Sequence, residues 1–256
     1  MSSLGFQSIY REINSTKGRS AERAFLPDDI KAYRNSRTAL FTFESQTPVS
    51  EFPVIAFSVA YETELLGMIE CLELCGINPI ADQRHPNDPF IIMGGPLTFS
   101  NPLPLAPFAD VVLMGEADDL IHPVLDAVFD SGSKADILQR LAAIDHVFVP
   151  TAHGDEMPEI AKADFEKLPA WAPIRTPNTE LRNMFLLEAE RGCSRGCRYC
   201  VMRRSTNGGM RIASVETILS PTPPAPTRVG VVGAAAGAPP QKSRTLLKRL
   251  LIKAKK

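Results

Sequence analysis

Several things are scarce in this chain of 256 residues, and each scarcity excludes something. No apolar run reaches the length that a membrane-spanning helix needs. The start, Met1-Ser2-Ser3-Leu4-Gly5, has no basic region followed by an apolar core, so it does not read as a secretory signal. Five cysteines without such a signal argue against a secreted disulfide scaffold and for a reducing, cytoplasmic setting. There is one tryptophan, and no aromatics are interleaved with the arginines to stack on bases, so a nucleic-acid partner is not favoured. The four histidines, His85, His122, His146 and His153, are scattered and read as surface or turn residues rather than ligands. Net charge is also nearly absent, at −1. That value hides an asymmetry: residues 1–175 hold 13 Lys and Arg against 25 Asp and Glu, and residues 176–256 hold 15 against 4. An acidic part followed by a basic part suggests two units, whose opposite charges attract each other or offset a bound anionic group.

What is present is concentrated in one stretch. Cys193-Ser-Arg-Gly-Cys197-Arg-Tyr199-Cys200 places three thiols within eight residues as CxxxCxxC. The stretch follows a strand-like run, Met184 to Leu187, in a loop with Gly192 and Gly196. Three thiolates so close can hold three irons of a 4Fe–4S cluster and leave the fourth open to a small molecule. A zinc site is the competing reading. Cys₄ zinc sites usually show two CxxC pairs, and no fourth ligand is spaced for one here.

CxxxCxxC after a first strand resembles the signature of the radical SAM superfamily. That resemblance implies a cluster held by Cys193, Cys197 and Cys200. Its open iron would chelate S-adenosylmethionine, which is cleaved by one-electron reduction to a 5′-deoxyadenosyl radical that acts on an unknown substrate. It also implies an electron donor such as flavodoxin or ferredoxin. Tyr199 fills the aromatic position close to the adenine. Family members often carry a glycine-rich, acid-containing segment at the end of the second strand, against the amino group of the methionine moiety. Gly233 matches the glycine, and the acid is missing from the sequence around it.

The acidic part alternates short apolar runs with helix-like segments. Strands are expected at Val54–Ser58, Phe90–Met93, Val111–Met114 and His146–Val149, with helices at Glu62–Cys75, Leu120–Phe129 and Ala135–Ala143. Such alternation predicts right-handed crossovers and a mainly parallel sheet, with ligands beyond the carboxyl ends of its strands. Gly94-Gly95-Pro96 and Gly115-Glu116 fall at those ends. The phrases Gly94-Gly-Pro-Leu-Thr-Phe-Ser-Asn-Pro102 and Asp110-Val-Val-Leu-Met-Gly-Glu116 resemble the cobalamin-binding-like domain that precedes many radical SAM cores. The opening Met1 to Gln7, with Ala21 to Pro27, is similar to the N-terminal extension of a large, poorly characterised branch of that group. Cobalamin is therefore a candidate cofactor. The loop Val59-Ala-Tyr-Glu-Thr-Glu64 lacks the D-x-H-x-x-G motif, however, so a bound cobalamin would have no histidine from it. Cys71 and Cys75, four apart on one helix face, read as buried core residues rather than a redox pair.

Residues 150–180 hold five prolines and read as a surface linker that Trp171 anchors. Beyond the cysteine loop, a short helix is expected at Ser214–Leu219 and a strand at Arg228–Val232. Only 56 residues follow Cys200, enough for the opening units of a (β/α) barrel. The fold expected is thus α/β. A doubly wound parallel-sheet domain with its N-terminal extension occupies residues 1–150, a proline-rich linker 151–180, and an incomplete radical SAM barrel, truncated within the core, 181–256. Two alternatives stand beside the enzyme. One is a non-catalytic remnant or iron–sulfur binding module. The other is an enzyme like the transfer-RNA methylthiotransferases, which Cys71 and Cys75 fit poorly.

Overall fold

The computed structural model describes residues 3–164, 167–193, 197–198, 209–223, 228–233 and 248–249. The chain divides into two compact units: Thr16–Lys162, and a second made of Met1–Ser15 with Ala163–Lys256. The sequence reading put its boundaries at 150 and 180 and gave the N-terminus to the first unit. Helix α1, Leu4–Ser15, shows why the N-terminus goes elsewhere. It docks through polar groups: Arg11 lies 4.5 Å over the Trp171 ring and donates to the Trp171 carbonyl, and Lys167 pairs with Glu12 at 2.9 Å. Gln7, also buried, accepts from the Ile174 N–H.

The first unit begins with α2, Ile30–Ser36, whose first turn is capped by Asp29 accepting from the Ala32 N–H. A four-stranded sheet follows, made of β1 (Val54–Ser58), β2 (Phe90–Gly94), β3 (Val111–Leu113) and β4 (Val147–Phe148). β1 and β2 run parallel to each other, as do β2 and β3, and β4 is antiparallel to β3. The α/β sheet expected from the alternation is present. Its strands lie side by side in chain order. Among the described strands there is thus no reversal of order, the feature at which doubly wound sheets open a ligand crevice.

Burial on both faces explains the continuous apolar runs. Ile91, Met93 and Val112 share one cluster with Met68 and Leu72 of α3, Glu64–Leu74. The alternate residues Phe90, Ile92, Val111 and Leu113 are equally buried and point to the other face. α3 stops because Gly76, at φ +71°, allows the Ile77 and Gly76 N–H groups to reach back to the Leu72 and Glu73 carbonyls. The β2–β3 connection carries only 3₁₀ turns, at Pro96–Phe99 and Leu103–Leu105. α4 (Ile121–Phe129) and α5 (Lys134–Ala142) lead back to β4, and α5 opens with a capping box between Ser133 and Asp136. α6, Pro150–His153, is a single turn.

A buried ion pair ties the amino-terminal side of the sheet together. The Arg84 side chain, fully buried, donates to Asp110 Oδ2 at 3.0 Å and to the carbonyls of Asn78, Pro79 and Phe108. Asp110 also accepts from the Ile91 N–H at 2.7 Å and pairs with Lys134 at 2.8 Å. Burial pulls the Arg84 guanidinium below its usual pKa, and the neighbouring Asp110 opposes that shift.

In the second unit, β5 (Phe185–Glu188) pairs in parallel with β8 (Val229–Val232), in the register Phe185↔Val229 to Glu188↔Val232. A short antiparallel ribbon joins β6 (Glu190–Arg191) to β7 (Arg211–Ile212), and α7, Val215–Leu219, follows. Part of the expected linker is ordered against β5. The Ala172 N–H donates to the Leu186 carbonyl at 2.9 Å, the Glu188 N–H donates to the Ala170 carbonyl at 2.8 Å, and Trp171 packs beside Phe185.

Candidate functional site

The cysteine loop begins where β6 ends. Gly192, at φ +88°, turns the chain, and Cys193 follows, half-buried. Cys197 is also half-buried, while Cys200 and Tyr199 lie outside the described residues. The entry to the loop is held by charge. Arg191 donates to both carboxylate oxygens of Glu188, at 2.9 and 3.0 Å, and Glu188 Oε2 accepts from the Ala170 N–H. A two-point pair of this kind fixes direction as well as distance. Gly233 stands just beyond the carboxyl end of β8, the end at which barrels gather their sites, and Cys193 follows β5 in the chain after the short strand β6. Gly233 does not stand apart from every acid. A Cβ there would fall 2.6 Å from Cγ of Glu190, so the fold brings an acid that the local sequence lacks.

The donor set suits an iron–sulfur cluster: two half-buried thiols that start at a strand end, with a third spaced three residues on. Among the described residues, no group of three His, Cys, Asp or Glu is placed to hold a metal, since the third thiol is not among them.

The other expected site, the carboxyl edge of the first sheet, is filled by the chain itself. The Val59 N–H donates to the Gly94 carbonyl at 2.8 Å, and the Leu97 N–H donates to the Val59 carbonyl. Thr98 Oγ1 donates to the Gly95 carbonyl and accepts from the Gly115 N–H at 3.0 Å. Ala161 then pairs across Gly115: its N–H donates to the Met114 carbonyl and its carbonyl accepts from the Glu116 N–H. The N–H groups of Leu97, Thr98 and Gly115 that could have cradled a phosphate are therefore spent on the protein. Val59, Leu97, Thr98 and Met114 are buried there, and His146 lies at the same edge, its carbonyl accepting from the Met114 N–H and its Nδ1 2.8 Å from the Glu159 carbonyl.

Two glycines make this closure possible. A Cβ on Gly95, at φ +102°, would meet the Val59 N and O at 2.8 Å, and one on Gly115 would meet the Ala161 O at 2.6 Å. Gly95→Ala should therefore cost more than Gly76→Ala, which has a similar positive φ but open space around it. We expect about 1 kcal/mol of backbone strain at Gly76 and about 3 kcal/mol at Gly95, read from urea unfolding midpoints. Equal losses would show that the turns are not in contact.

Cys71 and Cys75 lie on and just after α3, half-buried rather than in the core as expected, and pack against the edge of the apolar cluster. Burial pushes their thiols up, to about 11 and about 12, with smaller contributions from Glu70 on Cys71 and from Cys71 on Cys75. At pH 8 both thiols would stay almost wholly protonated. Both should resist iodoacetamide in the folded protein and react once urea unfolds it, as mass spectrometry would report. Rapid labelling of either in the folded state would contradict the burial. The raised pKa values also link to stability. The contribution is fully present below the unfolded thiol value of 9.0 and is lost as pH rises from there through the folded values.

Residues 5–150 match the sequence model of the family described as radical SAM proteins, N-terminal. The chain belongs to the radical SAM proteins. This radical SAM protein is 25% identical over 182 residues to an uncharacterized protein of Methanocaldococcus jannaschii, a match covering 70% of this chain and 36% of the relative. Its fold is similar to that of the radical S-adenosylmethionine methyltransferase TsrM from Kitasatospora setae, solved with its tryptophan substrate and a SAM analogue. The TM-score is 0.58 at 9% identity, over 98% of this chain and 48% of that one. The radical SAM protein thus spans about a third of the curated relative and about half of the solved structure. Among the described residues, no helix is long and apolar enough to cross a membrane.

Proposed function

We propose that Cys193, Cys197 and Cys200 bind a 4Fe–4S cluster whose open iron takes S-adenosylmethionine. When bound, that pair of cofactors supplies one-electron reductive cleavage of a sulfonium carbon–sulfur bond. The observation that carries the reading is the place of the thiol loop in the chain of a radical SAM protein: Cys193 comes two residues after β6, which follows directly on β5 of the parallel β5–β8 pair. The chain's own contribution is orientation. The Glu188–Arg191 pair sets the direction in which the loop leaves the sheet, and the packing of Trp171 and Phe185 behind β5 holds that strand in place. Tyr199 is placed by sequence beside the adenine. Electrons would come from a small donor such as flavodoxin or ferredoxin. We assign no role to cobalamin, because the carboxyl edge of the first sheet is closed by backbone.

Anaerobic reconstitution with iron and sulfide tests this. We expect about four irons per chain and broad absorption near 400 nm. S-adenosylmethionine should alter the electron paramagnetic spectrum of the reduced cluster. Uptake of one zinc and no iron would overturn the cluster. A cluster whose spectrum ignores S-adenosylmethionine would reduce the protein to an iron–sulfur binding module.

A further inference from the structure

Helix α1 is fastened along one length of chain. Gln7 accepts from the Ile174 N–H at 3.3 Å, and Glu12 pairs with Lys167 at 2.9 Å. Between them Arg11 donates to the Trp171 carbonyl at 2.9 Å and covers the Trp171 ring. One guanidinium thus supplies both a hydrogen bond and a cation–π contact. The segment held in this way lies along β5. The Ala172 N–H donates to the Leu186 carbonyl, the Glu188 N–H donates to the Ala170 carbonyl, and Trp171 bridges Leu187 in antiparallel sense. Leu186 and Glu188 alternate with the residues whose N–H groups face β8, so β8 takes one edge of β5 and this segment takes the other.

Glu188 is the joint between that segment and the thiol loop. It is tied to Ala170 twice, by its own N–H and by Oε2, which accepts from the Ala170 N–H at 2.9 Å. Its two carboxylate oxygens also accept from Arg191, which lies two residues before Cys193. A shift of Ala170 therefore moves the acceptor on which Arg191 is aligned. Ligand loops hold their metal best when the groups behind them are themselves fixed.

We propose that α1 is a clip whose hold on residues 167–174 positions the cluster loop, with Arg11 and Glu188 as positioning residues at the two ends of one chain of contacts. This rests on the cluster reading given under Proposed function and deepens it. It gives a role at the thiols to a residue 182 positions before Cys193.

The test uses the full chain, reconstituted anaerobically. Iron release to EDTA is followed by the decay of absorption near 400 nm, and the electron paramagnetic line shape of the reduced cluster reports thiolate geometry. Arg11→Ala and Glu188→Gln should each load about four irons. Each should release iron about 10-fold faster than the wild type and alter the line shape. Arg11→Lys keeps a cation over the ring and a donor for the carbonyl, so it should stay within about threefold of the wild type and restore the line shape. The double variant Arg11→Ala/Glu188→Gln should be at most about threefold faster than the faster single, because both changes break the same chain of contacts. Wild-type release in both singles would overturn the inference, as would effects that multiply in the double variant. An unchanged line shape with a lowered urea midpoint would show that α1 only stabilises the second unit. Should Arg11→Ala not fold, Glu12→Gln loosens the Lys167 end of the clip and should release iron about threefold faster, and a wild-type rate there would overturn the inference. A wild type that takes up no iron would remove the cluster reading and this one together. A cluster-bearing wild type with insensitive variants would remove this one alone.

Discussion

Arg84→Ala should destabilise the first unit by about 3 kcal/mol, the cost of taking a donor from a buried carboxylate and three backbone carbonyls at once. The Asp110 side chain is 5% exposed and would keep its contacts with the Ile91 N–H and Lys134. The carbonyls of Asn78, Pro79 and Phe108 would each lose their guanidinium donor at once. Arg84→Lys should recover little, since one ammonium cannot span four acceptors spread around a planar fork. Lys134→Ala should cost about 1 kcal/mol or less, because its side chain is 26% exposed and Asp110 keeps Arg84. The double variant Arg84→Ala/Asp110→Ala should lose less than the two single losses added, since it removes both charges of the pair. Urea unfolding of these four variants and of Asp110→Ala alone reads all of this from midpoint and slope. An Arg84→Ala variant as stable as the wild type would mean that this network is not formed.

Cys197→Ala should bring iron content after reconstitution from about four per chain to below one, and abolish the absorption near 400 nm. Cys193→Ala and Cys200→Ala should do the same, while Cys71→Ala should not. The contrast has a physical basis in this fold. All four described thiols are half-buried, but Cys71 lies on α3 against the apolar cluster, where burial raises its pKa to about 11, and Cys193 and Cys197 belong to the loop beyond β6. A ligand thiol must lose its proton, which the raised pKa of Cys71 opposes. Retention of four irons in Cys197→Ala, or loss of iron in Cys71→Ala, would reassign the ligands.

The secondary structure of the first unit was legible because its apolar runs are short, continuous and punctuated. Val54–Ser58 is a strand as expected, and α3 ends at the glycine that was expected to stop it. The boundaries of α4 and α5 differ from expectation by one residue. α1 carries an apolar stripe at Phe6, Ile9, Tyr10 and Ile13, so its helix was open to reading, but its place in the second unit was not. It docks through Gln7, Arg11 and Glu12 onto residues more than 150 positions away, which no local pattern reports. The strand order was not legible either, because periodicity reports which face of an element is buried and not which strand lies beside it.

The sequence by itself determined the chemistry available: three thiols at CxxxCxxC after a strand, glycines at the strand ends, and an α/β alternation. These are local properties, carried by spacing within a few residues. The tertiary structure decided which of the expected sites has room. At the first sheet, Thr98 and Ala161 come from segments 17 and 46 residues away from Gly115 and close its edge with hydrogen bonds. At the second, Glu190 and Gly233, 43 residues apart in the chain, meet because parallel pairing of β5 with β8 sets their strand ends side by side. Contacts at such separations depend on the pairing of whole strands, so no local pattern encodes them.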